Sequence, residues 1–266
     1  MPELPEVEFA RRQVAAWFGG HRVDEIVLHD ERLLAHGATA RLIGQRVNAV
    51  ERRGKFLLVR LEEHTLVLHF KMTGKVVPQD GRRARMTVSI GGGLYDFVDT
   101  RRLGKAWVVE HDALDDATVV GVLARLGPEP WPVPLEAGVL HAQLGGTRRA
   151  IKVALLDQEV VAGVGNIIAA ESLWRAGLNP ASRAGDLTQA QLGTLCDAIC
   201  AVCESVLAVE VGEEIAYLND PGRGEAPNPF FVYQRDACTS CGAAIERLTQ
   251  AGRTTYWCPT CQGGRR

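Results

Sequence analysis

Met1-Pro2-Glu3-Leu4-Pro5-Glu6-Val7-Glu8 opens the chain, and its prolines and carboxylates admit two readings. The structural one is a helix start, with Pro5 in the first turn and Glu6 and Glu8 favouring the positive end of the helix dipole. The chemical one begins if Met1 is removed, which leaves Pro2 with a free secondary amine. An α-amino group titrates near ~8, against ~10.4 for a lysine side chain, so far more of it is unprotonated and nucleophilic at neutral pH. Attack by such an amine on a sugar carbon gives an iminium, the electron sink that lyase chemistry needs. Glu3 stands beside it as a proton donor or acceptor.

Outward from this stretch, Val7, Phe9, Ala10, Val14 and Trp17 recur at near-helical spacing until Gly19-Gly20, predicting a helix over 6–18. Strand-like runs follow at Val23–Leu28, Val47–Val50, Phe56–Leu61, Thr65–Phe70, Met86–Ile90, Leu94–Val98 and Ala106–Val109. Glu62-Glu63-His64 and Gly91-Gly92-Gly93 read as hairpin turns. One helix followed by antiparallel strands predicts a β-sandwich. The proline-dense Gly127–Pro134 is the clearest boundary, and helical patterns follow at about 136–144, 148–157, 166–176 and 188–210. The expected organisation is α+β and multidomain: residues 1–126 as helix plus sandwich, 127–134 as linker, 135–228 as a helical domain and 229–266 as a short cysteine-bearing domain.

A chain of 266 residues is more naturally two domains than one. No apolar run approaches the ~18 residues of a membrane span, and the acidic opening lacks the apolar core of a signal peptide. Net charge is −2, so composition does not announce a nucleic-acid binder. Positive charge is nonetheless knotted at Arg52-Arg53-Lys55, Arg82-Arg83-Arg85, Arg101-Arg102-Lys105, Arg148-Arg149-Lys152 and Arg265-Arg266. These fit either one basic face or scattered solvated surface.

Seven cysteines without a targeting signal argue for reduced thiols or metal rather than disulfides. Cys238-x-x-Cys241 and Cys258-x-x-Cys261 have the spacing of a four-thiolate zinc site on a β-hairpin. Four cysteines close the coordination sphere, so the metal is structural, and it would fold a segment too small for a core of its own. Arg253, at the tip of the loop this site ties down, is placed to reach a phosphate; the alternative is an ordinary solvated arginine. Cys196, Cys200 and Cys203 share one helical face and read as small core residues.

Gly163-Val164-Gly165-Asn166 runs into a helix with Asn166 as expected N-cap and Gly177 as expected C-cap, and such a turn offers N–H groups to a phosphate. Lys55 taken alone reads as a surface lysine. His69 and Met72 bracket a turn ending at Gly74, and Asp99-Thr100-Arg101-Arg102-Leu103-Gly104 forms a second turn. An arginine and apolar side chains on neighbouring loops can wedge into a duplex and fill the hole left by an extruded base.

Together these pieces resemble the formamidopyrimidine-DNA glycosylase / endonuclease VIII family, closest to the formamidopyrimidine branch. The resemblance rests on MPELPEVE, RRGKFLLVRL, HFKMTG, DTRRLG, LGPEP, IKVALLDQEVVAGVGNIIAAESLWRAGLNP and VYQRDACTSCG…GRTTYWCPTCQ, in family order over nearly the whole chain. It implies an N-terminal helix and β-sandwich, a helix–two-turn–helix domain and a β-hairpin zinc finger, with DNA bound in the cleft between them. Pro2 is then the nucleophile at C1′ of the damaged nucleotide, Glu3 the acid that opens the sugar, and Glu6 the buried glutamate of the lesion pocket. Lys55 assists elimination, and Arg253 grips the flanking phosphates and serves the second elimination. Lys152 and Asn166 are phosphate ligands, Met72, Arg101 and Leu103 fill the void, and His69 and Arg83 complete the DNA-binding set. The implied reaction is base excision followed by β,δ-elimination. The implied cofactor is one structural zinc, held by Cys238, Cys241, Cys258 and Cys261. The expected partner is damaged double-stranded DNA, met by a monomer without a membrane in a bacterial cytoplasm.

Several positions depart from the family pattern. Leu103 stands where phenylalanine is usual, and Ile168 replaces an aromatic residue. Glu213-Glu214-Ile215 and the Gly/Pro-rich Asn219–Pro229 replace a threonine-bearing loop that closes over an oxidised purine. Oxidised or ring-opened purines are the expected lesions. The alternatives are oxidised pyrimidines or bulky alkylated bases on the same fold, or a damage-binding protein without chemistry. A zinc-ribbon transcription or replication factor would leave the N-terminus without a reason. Proline in second position favours removal of Met1, so the active species is expected to start at Pro2.

Overall fold

The computed structural model describes residues 2–115, 120–210 and 228–263. Met1 and the segment bearing Glu213-Glu214 lie outside the described residues, and with them the expectations about Met1 removal and the purine-covering loop. The chain divides into two compact units, Met1–Arg125 with Leu207–Arg223, and Leu126–Val206 with Gly224–Arg266.

The first unit begins with α1 (Leu4–Phe18), two residues earlier than the apolar spacing predicts. The extension is local chemistry. Glu3 is the N-cap of a capping box in which its backbone N–H donates to Glu6 Oε2 at 2.9 Å, and Pro5 occupies the first turn. Val7, Ala10, Val14 and Phe18 form the buried stripe.

Two sheets face this stripe. The first has the order β1 (Val23–Leu28), β7 (Ala84–Ile90), β8 (Gly93–Val98), β6 (Lys75–Pro78). The second runs β2 (Leu34–His36), β9 (Lys105–Glu110), β5 (His64–His69), β4 (Phe56–Arg60), β3 (Ala49–Arg53). Leu57, Val59, Leu66 and Leu68 of one sheet share a single core with Met86, Val88, Ile90 and Phe97 of the other and with α1. This is the expected sandwich with one correction: β2 pairs with β9 in parallel. A three-residue strand carries too little alternation to be legible in sequence, and β6, which ends on Pro78, is equally silent.

The second unit contains α2 (Ala137–Leu144), α3 (Ile151–Leu155), α4 (Asn166–Arg175) and α5 (Gln189–Val209, its last residues counted with the first unit), then the hairpin β10 (Glu246–Gln250) and β11 (Arg253–Trp257) and the short α6 (Pro259–Gln262). Turns at 157–161 and 162–165 separate α3 from α4, giving the helix–two-turn–helix. Two cap assignments need correction. Gly165 is the N-cap of α4, with Asn166 the first helical residue, and Ala176 is the C-cap. Gly177 is the left-handed residue after it, φ +66°, closing a paired cap in which Gly177 N–H donates to Trp174 O and Leu178 N–H to Leu173 O. By length and composition α5 is apolar enough to cross a membrane, contrary to the sequence expectation. Half of that window is buried inside the fold, including Leu192, Leu195, Cys196, Ile199 and Cys203, which is what a core helix shows.

Candidate active site and zinc cluster

Pro2, Glu3 and Glu6 meet at the start of α1, with Pro2 and Glu3 buried. Desolvation, reinforced by the neighbouring Glu3 and by Glu210, pushes the Glu6 carboxyl up to about 7. The helix-start reading holds, and it leaves room for the chemical one: the capping box that starts the helix also holds two carboxylates beside Pro2. The folded state favours the neutral form of Glu6, so its stability falls as pH rises from the unfolded value of 4.5 toward 7, by up to about 3 kcal/mol. Glu6→Gln keeps an acceptor for the Glu3 N–H and removes the charge. Denaturant titrations from pH 5 to 8 should show the variant losing this slope and exceeding the parent above pH 7 by about 1–3 kcal/mol; parallel curves would refute it.

Lys55, expected on its own to be a surface residue, is buried at 6% exposure in the turn between β3 and β4. Both strands pack on α1. Strand β4 places Phe56 opposite His69, whose ring it meets edge-on at 4.6 Å. Burial first, then the charges of Lys71 and Lys55, drives His69 down to about 3, so it is neutral at physiological pH. Its Nδ1 accepts from Lys71 N–H at 3.0 Å, which leaves the ring proton on Nε2 as a donor.

Met72 is half-buried, and Arg101 and Leu103 are exposed, on the turns following β5 and β8. Beneath them lies a buried ionic network. Arg85 donates to Asp30 Oδ2 at 2.9 Å, to Asp99 Oδ2 at 3.0 Å and to Gly104 O at 2.9 Å. Arg102 also pairs with Asp30, at 2.8 Å. Against the cost of burial, bonds from Arg102, Arg85 and Arg32 hold the Asp30 carboxyl far below the ordinary range. Arg83 is exposed before β7. The basic knots thus divide by direction rather than forming one face. Arg52 is buried against Glu8 at 3.6 Å and Arg85 against two aspartates, while Arg83 and Arg101 point outward.

In the second unit, Lys152 is wholly buried. Its Nζ donates to Asn166 Oδ1 at 2.7 Å and to Thr255 Oγ1 at 2.9 Å. Thr255 Oγ1 donates to Gln250 Oε1, Gln250 Nε2 donates to Pro180 O, and Asn166 Nδ2 donates to Thr254 O. In this geometry Lys152 is turned inward, toward Asn166 and the hairpin. Arg253 pairs with Gln250 and follows the turn residues Ala251 and Gly252, φ +48° and +70°, so it stands exposed at the hairpin tip. Glu171, which carries no sequence signal beyond being a carboxylate among the buried residues of α4, accepts from the N–H groups of Phe231, Val232 and Tyr233 at 2.8–3.0 Å. It anchors the chain leading into the hairpin.

The Sγ atoms of Cys238, Cys241, Cys258 and Cys261 lie within 4.8 Å of one another, with 3.9 Å from Cys238 to Cys261 and 3.4 Å from Cys241 to Cys258. Four thiolates around zinc at ~2.3 Å stand about 3.8 Å apart, so the cluster fits the ion. A hydrogen bond with the Cys241 thiol, then burial, raises the Cys261 thiol above its ordinary range, and zinc would take it as the thiolate. Cys196, Cys200 and Cys203 are buried on α5, as the core reading expects.

Known proteins carry the same architecture from end to end. The model of the formamidopyrimidine-DNA glycosylase N-terminal domain matches residues 1–106, that of its H2TH domain residues 126–218, and that of the zinc finger found in FPG and IleRS residues 236–263. Formamidopyrimidine-DNA glycosylases from Parasynechococcus marenigrum and Desulfitobacterium hafniense are 39% and 36% identical, covering 99% and 98% of this chain and all of their own. The chain belongs to the formamidopyrimidine-DNA glycosylase family. It is a DNA-repair glycosylase of the bifunctional glycosylase/AP lyase kind, with one structural zinc. The crystal structure of the MutM (Fpg) protein from Thermus thermophilus superimposes with a TM-score of 0.84 at 33% identity over the full length of both chains. The Lactococcus lactis Fpg, solved with DNA containing an abasic site, gives 0.83 at 25% identity, covering 98% of this chain and all of its own.

Proposed function

We propose that this enzyme excises oxidised or ring-opened purines from duplex DNA through a Schiff base on Pro2, followed by β,δ-elimination. The observation that carries the reading is the grouping at the start of α1, where Pro2 and Glu3 are buried and the half-buried Glu6 accepts from Glu3 N–H at 2.9 Å. Pro2 nitrogen attacks C1′ as the bond to the damaged base breaks, and Glu3 protonates the ring oxygen so that the sugar opens. The resulting iminium acidifies the C2′ hydrogen; its loss expels the 3′ phosphate, and a second elimination expels the 5′ phosphate. Lys55 and the Nε2–H of His69 serve the phosphates on the first unit, with Arg83 and Arg101. Asn166 and Arg253 serve them on the second, and Lys152 orients Asn166 from behind. Met72, Arg101 and Leu103 enter the space vacated by the everted nucleotide.

The division into 1–126, 127–134, 135–228 and 229–266 is kept as the functional organisation. We propose further that the protein works as a monomer on chromosomal DNA in the cytoplasm, without a membrane. Matched duplexes carrying 8-oxoguanine, a ring-opened purine or an oxidised pyrimidine test the substrate. Release of the two purines at least tenfold faster than of the pyrimidine is expected. A reversed order, or release of none of them with DNA binding intact, overturns the proposal.

A further inference from the structure

The turn bearing Met72 and the turn bearing Arg101 and Leu103 lie 25 or more residues apart in sequence, yet one hydroxyl joins them. Thr73 Oγ1 donates to Asp99 Oδ1 at 2.5 Å and accepts from Arg101 N–H at 3.2 Å. The other carboxylate oxygen of Asp99 accepts from Gly104 N–H at 2.7 Å and from Arg85 at 3.0 Å. Asp99 therefore closes its own turn across Arg101–Leu103 while holding the neighbouring turn through Thr73. Arg85, on β7, fixes Asp99 from below and is itself held by Asp30, which also takes Arg102. Asp30, Arg85 and Asp99 are buried, so these bonds exchange little with water, and breaking one strands a charge in the interior.

We propose that the Thr73–Asp99–Arg85–Asp30 network is a positioning device that locks the two turns into one body, so that Met72, Arg101 and Leu103 enter the duplex together. The proposal rests on the void-filling role given to those three side chains above. A wedge fixed before contact loses less conformational freedom on insertion than three side chains on independent loops. Thr73, Asp99 and Arg85 are positioning residues that need not touch DNA, and they share no side chain with the Pro2 chemistry.

Thr73→Val keeps the shape and removes the hydroxyl, while Thr73→Ser restores it. The first readout needs no activity: exchange of the Arg101 amide hydrogen in the free protein. It should quicken about tenfold or more in Thr73→Val and return to the parent rate in Thr73→Ser; equal rates in all three proteins overturn the clamp whatever the enzyme assays show. The second compares excision from a lesion duplex with borohydride trapping on a single-stranded abasic oligonucleotide, which has no opposite strand and no void to fill. Thr73→Val should slow duplex excision at least tenfold, with Thr73→Ser within twofold of the parent and trapping on the single strand unchanged. Equal losses on both substrates, or a Thr73→Val enzyme at the parent rate on duplex, overturn the proposal. Trapping on the single strand by the parent reports separately on the Pro2 reading.

Discussion

A chain that retains Met1 is expected to lose borohydride trapping on abasic DNA by about three orders of magnitude or more relative to one that begins at Pro2. Acylation turns the Pro2 nitrogen into an amide, whose lone pair is delocalised into the carbonyl and whose adduct cannot become an iminium. Nothing else in the unit need change, since the capping box belongs to Glu3 and Glu6 and the buried stripe to Val7, Ala10, Val14 and Phe18. Pro2→Gly with Met1 removed keeps a free primary amine but loses the ring that holds it, and should fall at least tenfold rather than to nothing. Glu3→Gln should slow base release by about 10²–10⁴-fold, the usual contribution of a positioned acid. Intact mass fixes the N-terminus of each preparation, so that trapping is compared between species of known start. Full retention of Met1 in a preparation that still forms the adduct would remove Pro2 from the mechanism.

The fold is legible in sequence where pattern and chemistry agree. The α1 stripe, both hairpins, the helical series after the prolines and the two C-x-x-C pairs all carry signals spanning several residues. The parallel β2 gives no signal, because three residues leave no period and its partner β9 lies some seventy positions away. Candidate site residues follow the same division. The exposed turn positions of Arg253 and Leu103 are legible through turn chemistry, and the thiol cluster through spacing. The supports beneath them are not, because a buried ion pair looks in sequence like surface charge. Arg52, Arg85 and Lys152 sit in basic knots that fit either one basic face or scattered solvated surface, with nothing to mark a buried member. Only the fold separates those facing Glu8, Asp99 or Asn166 from those facing out. Asn166 reads as lying one position outside its helix for a related reason: its amide makes tertiary bonds to Lys152 and Thr254, and no cap bond forms in competition.

Cys258→Ser, or prolonged exposure to a strong zinc chelator, should unfold the β10–β11 hairpin and weaken DNA binding by a hundredfold or more. An isolated two-stranded hairpin is marginal in water. The small core around this one counts two zinc ligands, Cys238 and Cys258, among its five buried members, so little apolar area remains to hold it without the metal. Structural zinc contributes about 10–16 kcal/mol in small zinc-dependent folds, far more than such a cluster can replace. The damage should also spread beyond the hairpin. Thr255 accepts from the buried Lys152 ammonium, and its loss leaves that charge short of a partner beneath Asn166. Arg253→Ala is the control that separates place from contact. On the proposed mechanism it removes one phosphate ligand, so it should weaken binding uniformly across sequences and reduce the salt slope by about one, with zinc content and circular dichroism unchanged. If Cys258→Ser behaved like Arg253→Ala, keeping its fold and losing only one contact, the hairpin would owe its stability to Glu171 and to the Trp174–Phe231 stack at 4.4 Å rather than to the metal.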